Sequence, residues 1–117
     1  MHTTLAALDI RFHRSKTRSK QNGVPFSITR QDLMDLWVVQ KGLCYYSNLP
    51  MTAENSHQCR DPYAVSIDRI TPAKGYVKDN IALCCWGVNV AKSDFPFEDF
   101  IRIYTHVANN NASLTMQ

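Results

Sequence analysis

The spacing of apolar residues from 5 to about 21 predicts an amphipathic helix. Leu5, Leu8 and Phe12 share one side, and Arg11, Arg14 and Arg18 recur three and four apart on another. Asn22-Gly23 ends it, and residues 25–28 form a short extended piece. A second helix opens at Thr29, an N-cap with Asp32 three positions on, and carries Leu33, Leu36, Trp37 and Gln40 before Gly42 stops it. Residues 44–51 suggest a tight turn between extended pieces, and the polar residues 52–62 suggest a surface loop.

Alternation over residues 63–68 predicts a strand with Ala64, Ser66 and Asp68 on one face and Val65 and Ile67 on the other. A turn-rich loop with Pro72 and Gly75 spans 69–79, and a second strand covers about 81–84. From about residue 86 a short helix aligns Val88, Ala91 and Phe95 on one side and Asn89 with Lys92 on another. Pro96 redirects the chain into a last amphipathic helix over 96–108, marked by Phe97, Phe100, Ile101 and Tyr104. The polar tail from 109 to 117 is expected to fray. The fold class read from this order is α+β.

A chain of 117 residues suits one small domain. It holds no run of about 18 apolar residues, and its first ten residues lack the features of a secretory signal, so an intracellular protein without a membrane span is expected. The net charge of +3 is unevenly placed: residues 1–30 carry 6 − 1 = +5 and the remainder 7 − 9 = −2. A basic arm on a near-neutral body points to a polyanionic partner. Without a secretion signal, the four cysteines, Cys44, Cys59, Cys84 and Cys85, are not expected to form a disulfide framework.

Strand, basic loop, strand and short helix bring particular chemistry together. If the helix packs across the hairpin, Asp68 can meet Asn89, and this pair of oxygen donors suits Mg²⁺, which keeps waters and binds a phosphate besides. Arg69, Lys74, Lys78 and Lys92 would surround that centre with the positive charge a phosphodiester needs.

The segments S-I-D-R-I (66–70), K-G-Y (74–76), D-N-I-A-L (79–83) and C-W-G-V-N-V-A-K (85–92) resemble the ββα-metal (His-Me finger) motif of HNH endonucleases, in particular the small type of phages and mobile elements. The resemblance spans about residues 42–92 and extends in looser form to the basic helix and to F-S-I-T-R-Q-D-L (26–33). It implies a ββα-metal core with flanking helices, Asp68 and Asn89 as metal ligands, Asn80 as the tie between loop and hairpin, and Lys92 near the substrate phosphate. One Mg²⁺ or Mn²⁺ per site would serve DNA hydrolysis, nicking with low sequence specificity. Arg11, Arg14, Lys16, Arg18, Lys20, Lys74 and Lys78 would contact the duplex backbone.

Two positions depart from that family. Arg69 stands where the general-base histidine is usual, and a guanidinium does not take a proton from water. His57, Tyr76 or a metal-acidified water would have to substitute, with Arg69 stabilising charge instead. Where relatives carry two C-x-x-C zinc knuckles, this chain reads Cys44-Tyr45-Tyr46-Ser47 and Cys85-Trp86-Gly87-Val88, so structural Zn²⁺ is not expected and packing by Leu43, Tyr45, Trp86 and Val88 would replace it. Alternatives of another class are a catalytically silent DNA-binding module and a ribonuclease. Monomer and dimer stay open.

Overall fold

The computed structural model describes residues 2–53 and 61–115. The first helix, α1 (His2–Asn22), buries Leu8, Phe12, Ser15 and Ser19, a four-three-four spacing that puts them on one side. Leu5 was expected on that side but is exposed, and Ala7 takes its place. The two serines and Ala7 are small, which allows the helix close to its neighbours without aliphatic bulk.

Thr29 and Asp32 close a reciprocal capping box on α2 (Arg30–Gln40), with each side chain accepting from the other residue's N–H, at 3.1 Å to Thr29 Oγ1 and 2.9 Å to Asp32 Oδ2. The helix ends on left-handed residues at both Lys41 and Gly42. Leu33 is its fully buried anchor, whereas Val38 and Val39 lie exposed. Arg30 at its start pairs with Asp9 of α1 and covers the Phe12 ring, 4.7 Å from the centroid.

Strands β1 (Val65–Arg69) and β2 (Ile81–Cys85) form an antiparallel pair, the only sheet among the described residues, running in register from Val65 opposite Cys85 to Arg69 opposite Ile81. β1 starts two residues later than expected because Asp61 holds the preceding turn: its side chain accepts the Tyr63 N–H and its carbonyl the Ala64 N–H. The far edge of β2 is covered by Gln40, whose amide copies a strand by donating to Leu83 O (2.9 Å) and accepting the Leu83 N–H (3.1 Å).

The connection between the strands contains two short 3-10 turns, Pro72–Lys74 and Lys78–Asn80. Gly75 sits there at φ 75°, and a Cβ on it would come 2.4 Å from Pro25 O, so no larger residue fits. The contact lets Tyr76 N–H reach Pro25 O and Tyr76 O accept from Ser27, which docks the loop on the extended piece after α1.

After β2 the chain turns directly into α3 (Trp86–Lys92), then α4 (Phe97–Asn110) and α5 (Ala112–Thr115). Of the tail, residues 109–110 complete α4 and 112–115 form α5. Phe95 leaves the α3 stripe, because that helix ends at Lys92 and Ser93 turns the backbone at φ 47°; its ring is exposed. Phe100 anchors α4 against Tyr46, while Ile101 and Tyr104 remain largely open. Leu8, Phe12, Leu33, Val65, Ile67, Tyr76 and Leu83 belong to one core between the hairpin and the first two helices. None of the described helices is long and apolar enough to cross a membrane.

Candidate active site

Alternation in β1 turns Ser66 and Asp68 to the same face, and α3 crosses that face with Asn89 and Lys92. The two pairs meet in register along the strand. Asn89 Nδ2 donates to Ser66 Oγ (2.6 Å) and to Ile67 O (3.1 Å), so Oδ1 is the atom that Asn89 can offer to a ligand. Lys92 Nζ, one turn on, approaches Asp68 Oδ1 (3.3 Å), Arg69 O (3.2 Å) and Ile70 O (3.5 Å). Asp68 thus bonds to Lys92 rather than to Asn89.

This ion pair is deeply buried: Lys92 is 0 % exposed and Asp68 2 %. Tyr46 OH donates to the other carboxylate oxygen, Oδ2. Burial pushes the Asp68 carboxyl above its ordinary value, outweighing the hydrogen bond from Tyr46 and the charge of Lys92, which favour the ionised form. The Tyr46 phenol is pushed up in turn by its own burial and by the Asp68 carboxylate. An ionised carboxylate has about four lone-pair sites, and Tyr46 and Lys92 take one each. Neither Asp68 nor Lys92, expected beside metal and phosphate, is among the residues that line the cleft between α1, β1 and α3.

Arg69 points the opposite way to Asp68. Its guanidinium bonds Asp94 Oδ1 (3.2 Å) and Pro72 O (3.2 Å) and lies 5.5 Å from the centre of the Tyr76 ring. Tyr76 is itself buried in the core, as a platform for Arg69 rather than a group open to the cleft. Asn80 accepts the Thr71 N–H (2.9 Å) and donates to Thr71 O (2.9 Å) and Gly75 O (2.7 Å), tying both ends of the loop together. His57 lies outside the described residues.

A cleft of about 510 Å³ opens between α1, β1 and α3. Arg11, Arg14 and Arg18 of α1 line it, at the helical spacing that puts them on one face, together with Arg69, Trp86 and Asn89. Burial foremost, and then the neighbouring Arg14 and Arg18, hold the Arg11 pKa below its ordinary value. Lys16 and Lys20 leave α1 in other directions, and Lys74 and Lys78 project from the inter-strand loop; all four are exposed and none lines the cleft. Asp94 is the only carboxylate among the described lining residues.

The cysteine positions also meet. Cys85 N–H donates to Cys44 Sγ (3.3 Å), and both are buried. Burial, which would raise the Cys44 thiol, is outweighed by hydrogen bonds from Ser47 and from backbone groups of Cys85, Ser47 and Tyr46, leaving it below the ordinary value. Cys85 is pushed up to about 11 by burial and the nearby Cys44. Val88 packs on the core beside them, whereas Tyr45, expected to join that packing, is 57 % exposed. Among the described residues no three His, Cys, Asp or Glu side chains are grouped to hold a metal; Cys59 lies outside them, and an Asp-plus-Asn pair is not such a group.

Sequence reasoning missed Tyr46, Ser66 and Asp94 as partners of Asp68, Asn89 and Arg69. Strand alternation signals Ser66, since it shares a face with Asp68. Nothing local signals Tyr46, which comes from 22 residues away.

Comparison with family models, with curated proteins and with solved structures returns no match.

Proposed function

We propose that this chain is a divalent-metal-dependent endonuclease of the ββα-metal kind, hydrolysing phosphodiester bonds in DNA. The observation that carries the reading is the convergence of Asn89 and Arg69 with three arginines of α1 on one cleft beside the hairpin. Phosphates are the ligands such a cleft suits: guanidinium groups bind them bidentately, and the rest of the lining adds hydrogen-bonding groups.

In residue type Asp68 and Asn89, one carboxylate and one amide oxygen, suit Mg²⁺ or Mn²⁺. Asn89 alone of the two lines the cleft, however, so a shared ion would require Lys92 to give up its place on the buried Asp68. The ion would supply Lewis-acid polarisation of the phosphate and acidify water. Ser66 and Ile67 O orient the Asn89 amide, Tyr46 holds the Asp68 carboxylate, and Asn80 keeps the loop that follows Arg69 in shape. A phosphate entering the cleft competes with Asp94 for Arg69, which then faces the charge that develops on the phosphoryl oxygens.

One observation favours a second reading. Lys92 already gives Asp68 a buried cation, and Arg69 is no base, so the scaffold also suits a DNA-binding module without catalysis.

Supercoiled plasmid incubated with Mg²⁺, Mn²⁺ or EDTA separates the two, using wild type and Asn89→Ala. The endonuclease reading expects metal-dependent open circles that Asn89→Ala abolishes at a temperature where its circular dichroism still shows the folded chain. Uncut plasmid with a retained gel shift replaces it with the binding module. Preferential digestion of single-stranded RNA in a parallel reaction would move the activity to ribonuclease.

A further inference from the structure

A second pocket of about 520 Å³ shares the lining residue Asp94 with the basic cleft. Its walls are chemically unlike those of the cleft. Tyr45 and Phe97, 57 % and 43 % exposed, flank Tyr46, whose ring is 5.1 Å from Tyr45 and 5.8 Å from Phe97, and Pro72 of the inter-strand loop stands among the other lining residues. Its charged lining residues are Asp94 and Glu98; no lysine or arginine lines it among the described residues.

Such a pocket repels phosphate and suits a flat, uncharged ring with hydrogen-bond donors at its edge. Large aromatic side chains left half open in a small protein are costly to expose and efficient for stacking. Base stacking on aromatic side chains tolerates any base, because each has a π-face, and carboxylates accept from the exocyclic amino groups of cytosine and adenine.

We propose that this pocket takes an unpaired nucleobase of the strand whose phosphates occupy the basic cleft. The proposal rests on the nucleic-acid-binding reading of that cleft. A nucleotide carries its base and phosphate on one sugar, and the two cavities share Asp94 in their linings, so both parts have a place of matching chemistry. Paired bases are stacked inward and cannot enter, which makes single-stranded, frayed or flipped DNA the preferred substrate of the site.

Fluorescence-anisotropy titrations in EDTA test this without cleavage, comparing a labelled oligodeoxycytidylate with an abasic oligomer of equal length and phosphate number. Wild type is expected to bind the base-bearing strand at least about 5-fold more tightly. Tyr45→Ala and Phe97→Ala, at exposed positions, should bring that ratio towards one with abasic affinity, salt slope and melting temperature unchanged, and Tyr45→Phe should keep it. Equal binding of both oligomers by wild type overturns the pocket and leaves the cleft standing, as does a ratio that survives both alanine variants or variants that weaken both oligomers alike. Failure to bind either oligomer while a duplex of equal length is bound overturns the base pocket and leaves the cleft standing, and failure to bind all three overturns both.

Discussion

The two faces of the hairpin are buried alike and held differently. On one, Val65, Ile67, Ile81 and Leu83 meet helices α1 and α2 through apolar contact, which is non-directional and shared among many neighbours. On the other, Ser66 and Asp68 meet Asn89 and Lys92 through hydrogen bonds and charge, with the small residues Ala82 and Cys84 opposite them on β2. The first face tolerates a small volume error. The second fails when a single partner goes, because an unpaired group is then left without water.

The largest effect is therefore expected from Lys92→Met, which strands the Asp68 carboxylate and should cost about 3–5 kcal/mol in urea unfolding. Adding Asp68→Leu should return most of that loss, since replacing both members of a buried pair by apolar groups is often neutral. A double variant no more stable than the single one would mean that the pair itself, and not the isolated charge, stabilises this face.

Asn80→Ala comes next, at about 1–3 kcal/mol, because it leaves Thr71 and Gly75 backbone groups without partners. Hydrogen exchange should speed up in the inter-strand loop before it does in β1. Ile67→Val on the apolar face should cost only about 0.5–1.5 kcal/mol, the ordinary value for one buried methylene, and should not unsettle α3.

Smaller again are effects on DNA affinity. Arg14→Gln, in the cleft, should reduce the slope of log binding constant against log salt by about 0.9, the value for one duplex phosphate contact. Lys16→Gln, which lies outside the cleft, should change it less. Equal losses would make the whole α1 surface, rather than the cleft, the binding face.

Acid unfolding gives the finest comparison, with opposite signs at two carboxyls. Asp68 has a folded pKa raised by burial, so its contribution is full below 3.8 and is lost as pH rises through the folded value. Asp9, held low by its hydrogen bond to Arg30, contributes above 3.8 and loses that contribution as pH falls through its folded value. Urea midpoints across this range should therefore fall less steeply with acidification in Asp9→Asn than in wild type.

Local patterns carried much of this into view beforehand. The Thr29 capping box, the alternation that pairs Ser66 with Asp68, and the three-residue spacing of Asn89 and Lys92 are consequences of helical and strand geometry alone. Gly42 was legible as the stop of α2, whereas the start of β1 and the end of α3 were not, because Asp61 and Ser93 set them through turn conformations and hydrogen bonds that compete with continued strand or helix.

Periodicity along the chain is therefore enough for an α+β order, a basic stripe on α1, and a polar strand face opposite a polar helix face. Tertiary structure alone decided who meets whom. It paired Asp68 with Lys92 and Tyr46 instead of Asn89, seated Tyr76 beneath Arg69, and separated Arg11, Arg14 and Arg18 from the lysines beside them in the chain. The physical reason is that periodicity sets the direction in which each side chain leaves its own element, whereas partners depend on the rotation and offset at which elements dock. Those are set by the whole core at once.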